Sequence, residues 1–120
     1  MKLSLGVLVA VVAIACGLFA TVGTASTQAT KTVTVTMTDF HFKLAPTTGI
    51  KHGVKVTFKV VNKGAALHNF DIQKVKASKV IPAGKTTTFT VTFKKAGKYQ
   101  YICDVPRHAE LGMAGTLKVS

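Results

Sequence analysis

From Thr32 to Met37 threonine alternates with Val33, Val35 and Met37, the period-two pattern of a strand with one buried face. The pattern continues from Asp39 to Leu44 with Phe40 and Phe42 on one side, and Pro46-Thr47-Thr48-Gly49 breaks it. Lys55 to Val61 then turns Val56, Phe58 and Val60 inward and Thr57 and Lys59 outward, and Asn62-Lys63-Gly64 reads as a turn. Thr86 to Phe93 gives the strongest strand signal, with Thr86, Thr88, Thr90 and Thr92 set against Phe89, Val91 and Phe93. Asn69 to Ile72 is a short extended run, and Gln73 to Lys79 is polar and cationic, an exposed connection. After the turn at Lys94-Lys95-Ala96-Gly97, strands are expected over Lys98 to Cys103 and Gly115 to Val119. Roughly six to eight short strands without a helix-period segment predict an all-β fold, a Greek-key β-sandwich or barrel.

The first residues do not share this pattern. Lys2 is followed by the almost wholly apolar run Leu3 to Ala20 and by the small residues Gly23-Thr24-Ala25. This is the pattern of a secretory signal peptide over residues 1–25, cleaved after Ala25. Retained, the same run approaches the roughly 17–25 residues of a membrane anchor. Lipidation at Cys16 is the weakest reading, because Ala13-Ile14-Ala15 is a poor recognition sequence. Residues 26–31 form a short tether and residues 32–120 the domain. The protein is therefore expected outside the cytoplasm, in a periplasmic or equivalent compartment, with a membrane partner only if the first segment stays attached.

The chain has 120 residues, enough for one core. Its 16 Lys and Arg stand against 4 Asp and Glu, a net +12. Removal of the first 25 residues takes away one charge, Lys2, leaving +11 on 95 residues. Such a balance bears on partners rather than fold, and points to an acidic one. Nucleic acid is disfavoured, since no recognition motif is present and the aromatic residues sit mainly at inward strand positions.

Cleavage would leave Cys103 as the lone cysteine, and an unpaired thiol in an exported protein asks for a task. Cys103, His108 and Met113 fall in the pattern C-x4-H-x4-M between the last two strands. Thiolate and thioether are soft ligands suited to copper, and two imidazoles, one thiolate and a weak axial Met make a blue-copper site. The second imidazole is best supplied by His68, in Ala65-Ala66-Leu67-His68-Asn69. Zinc suits Cys and His but not thioether, and a Cys-His nucleophile would lack an orienting third group. Taken singly, Cys103 and Met113 are more often small and flexible core residues. His41, on the polar side of an early strand, and His52, in a Lys/Gly turn, are read as surface residues.

His-Asn ahead of a strand, followed by Tyr-x-Cys-x4-His-x4-Met before the last strand, resembles the cupredoxins, from about Thr32 to Ser120. The loop spacing is nearest that of the phytocyanins, but their usual disulfide is absent, and an exported bacterial or archaeal form fits better. The resemblance implies a cupredoxin-type sandwich holding one copper per chain, with His68, Cys103 and His108 equatorial and Met113 axial. It implies that Asn69 bonds the Cys103 sulfur or ties the two ligand loops together. It also implies that Ala65, Ala66, Leu67, Pro106 and Leu111 form an apolar docking patch around His108. The function expected is single-electron transfer by a monomer, not catalysis, to a redox partner with an acidic docking surface. Copper sequestration or delivery through the same ligands is the alternative, and a purely structural domain is a third.

Overall fold

The computed structural model describes Gly17, Gly23 and residues 29–120. The expected signal peptide, Cys16 and the tether up to residue 28 lie outside the described residues. Eight strands follow: β1 (Thr30–Thr38), β2 (His41–Ala45), β3 (Lys55–Asn62), β4 (Asp71–Ile72), β5 (Lys76–Ala77), β6 (Thr86–Thr92), β7 (Gly97–Ile102) and β8 (Ala114–Val119). No helix occurs among the described residues. Two four-stranded sheets form, ordered β2-β1-β3-β6 and β5-β4-β7-β8. The chain crosses between them after β3, β5 and β6, and β1 lies parallel to β3 while every other pair is antiparallel.

The alternation read from the sequence sets the inner face of the first sheet. Val33, Val35 and Met37 on β1, Val56, Phe58 and Val60 on β3, and Val91 on β6 are buried, while the threonines and lysines between them point outward. Phe58 stands at the centre, its ring 5.5 Å from Phe70 and 5.4 Å from Phe89. Phe70, Ile72 and Leu117 answer from the second sheet. Among the described residues the buried core comes entirely from those between Val33 and Val119, and these close the sandwich on themselves.

Three local expectations are corrected. The run from Asp39 to Leu44 is not continuous strand: the chain reverses at Asp39-Phe40, and β2 folds back on β1 with Thr38 opposite His41. The reversal turns Phe42 and Leu44 against the core instead of out past the sheet edge. The connection from Gln73 to Lys79 contains a tight hairpin, in which β5 pairs with β4 around Lys74, whose φ is 63°. β1 also begins at Thr30, where Thr30 and Lys31 pair with Lys55 and Val56, two residues ahead of the expected domain start.

Glycine matters at one interior position. Tyr101 on β7 lies opposite Gly115 on β8, and a Cβ at Gly115 would run into the Tyr101 ring. The missing side chain lets that ring lie across the inner face, 5.4 Å from Phe42 and 5.1 Å from Phe70. The aromatic cluster joins the two sheets, and Phe58→Ala is expected to lower the unfolding free energy by about 3–5 kcal/mol in urea titration. A loss below about 1 kcal/mol would show that the cluster does not hold the sheets together.

Candidate metal centre

At one end of the sandwich three loops converge. His68 is fixed first by its backbone, which exchanges two hydrogen bonds with Ile81: His68 N–H donates at 3.2 Å and Ile81 N–H at 2.8 Å. Its ring is fully buried, and Nε2–H donates to Asp39 Oδ1 at 2.6 Å. A proton held on Nε2 leaves the Nδ1 lone pair free, the tautomer a metal requires. Asp39 is itself held, because its two oxygens accept the N–H groups of Ala65 at 2.9 Å and Ala66 at 3.2 Å. Those bonds, the Ala65 amide foremost and His68 second, keep the Asp39 carboxyl below its usual range.

The Asn62 side chain pins the loop underneath. Its amide donates to the carbonyls of Ala66 and Ile81 at 2.8 and 2.9 Å, and its oxygen accepts from Gly64 N–H at 2.9 Å. Gly64 itself passes so close that a Cβ there would strike the Asp39 carboxylate and come within 2.9 Å of His68 Nε2.

Cys103 follows β7 and is buried. The loop after it is a string of turns, in which Arg107 takes a φ of 71° and Gly112 one of 115°. Met113 closes the loop: its N–H donates to the His108 carbonyl, and its carbonyl accepts from Cys103 N–H, both at 3.1 Å. Met113 is buried at that point. Asn69 ties the two halves of the site. Its amide donates to Asp104 Oδ2 at 2.9 Å, and its oxygen accepts Asp104 N–H at 2.7 Å. Of the two roles expected for Asn69, its side chain takes the loop-tying one.

These constraints bring His68 Nδ1, Cys103 Sγ and His108 Nδ1 together. The nitrogens are 3.1 Å apart, and the sulfur is 3.9 Å from His68 Nδ1 and 3.6 Å from His108 Nδ1. The circumcentre of that triangle lies about 2.1 Å from each corner, close to ordinary metal–imidazole and metal–thiolate bond lengths of about 2.0–2.3 Å. The donor set therefore fits one ion, and its softness fits copper. His108 is half-buried, and burial, with repulsion from His68 second, holds its imidazole below the usual range, which favours the neutral ligating form. Phe40 leans its ring edge over both imidazoles, with centroids 4.9 Å from His108 and 6.2 Å from His68.

The outer rim is apolar. Leu67 is 53% and Leu111 57% exposed, and Ala65 and Pro106 are exposed nearby in the sequence of the same two loops. His41 and His52 are exposed and take no part in the triangle, and His52 Nδ1 instead sits 2.8 Å from the Ser120 carbonyl. Sequence reasoning missed Asp39, Phe40, Asn62 and Gly64. The one local signal was the break in alternation at Asp39-Phe40, and nothing there tells which distant ring the carboxylate meets.

Fold and donor set define a β-sandwich built around one soft-ligand metal centre. The cupredoxin-like domain family matches residues 8–117, and the chain belongs to it. A "Blue copper protein" of Pisum sativum is 38% identical over 66 residues, covering 50% of this chain and 35% of that protein. The chain thus spans about a third of that curated relative's length. Among solved structures, reduced rusticyanin superimposes with a TM-score of 0.63 at 28% identity, over 76% of this chain and 79% of that one. Auracyanin A from Chloroflexus aurantiacus, a "blue" copper protein, gives 0.65 at 23% identity, over 77% of this chain and 100% of that one, a likeness of fold.

The carboxylate behind His68 makes a direct prediction. Asp39→Ala should lower copper affinity by about 10–100-fold in competition with a chelator, the usual cost of removing an outer partner of a ligating histidine. Gly64→Ala should do the same through the displaced carboxylate. Unchanged affinity in both variants would mean that the ring is positioned by the Ile81 bridge alone.

Proposed function

We propose that the chain is a type 1 copper protein that carries single electrons between redox partners, whose copper His68, Cys103, His108 and Met113 would hold. The observation that supports this most is the donor triangle, whose corners stand at metal-bonding distance from one point. Copper supplies the one-electron couple, and the chain's residues do the rest. His68, clamped between Asp39 and Ile81, keeps its place whatever the charge at the centre. Four protein ligands would leave no position open for a substrate, which favours a carrier over an enzyme.

His108 is the one donor residue with appreciable exposure, and the apolar rim around it would let a partner exclude water there. The cationic balance of the whole chain favours a partner of net acidic charge, and export by the signal-like first segment would put their meeting outside the cytoplasm. Copper sequestration or delivery is the second reading, and the exposure of His108 is what favours it, since a metal handed on would leave past that ring.

Spectroscopy tests the first reading. The chain from Ser26 loaded with Cu(II) should show an intense thiolate-to-copper absorption and the narrow copper hyperfine splitting of a type 1 site. The band should vanish in Cys103→Ser and shift in Met113→Leu. A colourless protein, or a weak spectrum indifferent to Cys103, would remove electron transfer. With the physiological partner the transfer rate should fall as salt rises, because screening shortens the reach of the charge to about 8 Å at physiological ionic strength. A rate independent of salt would remove the acidic docking surface.

A further inference from the structure

The charge of this domain is segregated along the strands. At the metal end stand all four acids: Asp39 beside His68, Asp71 opposite Ile102, and Asp104 and Glu110 in the ligand loop. The basic residues at that end are Lys63, Lys79, Lys85 and Arg107, with Lys43 one rung further in on β2, so the charges there nearly cancel.

The opposite end has no acid. Lys31 and Lys55 stand at the paired starts of β1 and β3, with Lys51 in the loop just before β3. Lys94 and Lys95 occupy the β6–β7 turn, and Lys98 pairs with Lys118 directly across β7 and β8. Lys74 and Lys76, on the β4–β5 hairpin, join Lys94 and Lys95 in lining a groove of about 580 Å³ whose wall includes Phe93 and Tyr99. Val75, at the tip of the hairpin, leaves 39% of its surface in water.

We infer that this lysine end is a surface for an anionic lipid bilayer, which would hold the domain with its metal end turned toward the aqueous phase. Three observations favour lipid over an acidic protein. The charge is spread over nine lysines from five separate segments and contains no arginine, whose planar fork suits fixed carboxylate pairs; dispersed ammonium groups suit a fluid layer of phosphates. The hairpin tip offers an apolar side chain among the cations, as a surface that enters the headgroup layer does. β1 also begins at this end, so the sequence ahead of Thr30, with the apolar run Leu3 to Ala20, joins the domain on the same side. The strands run from this end to the ligand loops, and the six residues of β7 span about 20 Å. This inference stands apart from the electron-transfer reading, because it uses none of the metal ligands.

The test is co-sedimentation of the chain from Ser26 with vesicles of phosphatidylcholine carrying phosphatidylglycerol, against phosphatidylcholine alone. Two triple variants lose the same net charge: Lys74→Gln, Lys94→Gln, Lys95→Gln at the groove, and Lys63→Gln, Lys79→Gln, Lys85→Gln at the metal end. Binding confined to the anionic vesicles is expected. It should weaken on the order of a hundredfold in the groove variant, about fivefold per lysine, and little in the other. Equal losses in the two variants would trace binding to net charge and overturn the assignment of this face. Retention of poly-glutamate without vesicle binding would make it a surface for an acidic protein, and binding to neither would overturn it outright.

Discussion

The structure depends on holding three donor atoms within 4 Å of one another when they come from loops 35 residues apart in the chain. Two of them are imidazole nitrogens that face each other at 3.1 Å, an arrangement with no intrinsic attraction when both lone pairs point the same way. It therefore has to be imposed from behind. Asp39 imposes it on His68 by accepting the Nε2–H, and Asn69 imposes it on Cys103 by bonding both the side chain and the amide of the next residue. Each support is a charged or reciprocal hydrogen bond, the kind that fixes direction as well as distance. The two sheets then serve as the rigid frame against which those supports act.

Sequence pattern is informative where a residue's role is set by its own neighbours in the chain. The threonine alternation of β1 and β6 and the Val56-Phe58-Val60 face of β3 are legible for that reason, since a strand with one buried face needs only its own period. The ligand loop is legible because soft donors at short spacing have few other uses. Asp39 is not, because its partner is 29 residues away and its own surroundings read as strand. Asn62 suffers the same ambiguity: in sequence it is a turn residue, and in space it is a buried brace between the Ala66 and Ile81 carbonyls. The β4–β5 hairpin is hidden by length, as two-residue strands carry no period to detect.

Composition hides a similar layer. A net charge says how strongly a molecule is drawn to an opposite charge, but nothing about which side arrives first. Here the few acids gather where they brace loops and the lysines gather at the other end. The acids also crowd one another: burial first, and Asp104 second, push the Asp71 carboxyl above its usual range. Acidic side chains kept so close together are placed for what they bond, Asp104 to Asn69 and Asp71 to Gln73, rather than for the field they make.

The asymmetry between the two histidines bears on how such a centre works. His68 is buried, bonded through its backbone to Ile81 and through its far nitrogen to Asp39, so it has no freedom to follow a departing ion. His108 sits half-buried in a loop of turns, covered by the edge of Phe40 and bordered by exposed leucines. Electron exchange needs ligands that stay put and one of them near the surface, and that combination is present. Metal exchange needs a ligand that lets go, and only His108 has the room. A single half-buried ring could serve either process, and the stiffness of the His68 side is what favours the proposed one, in which the electron moves and the ion stays.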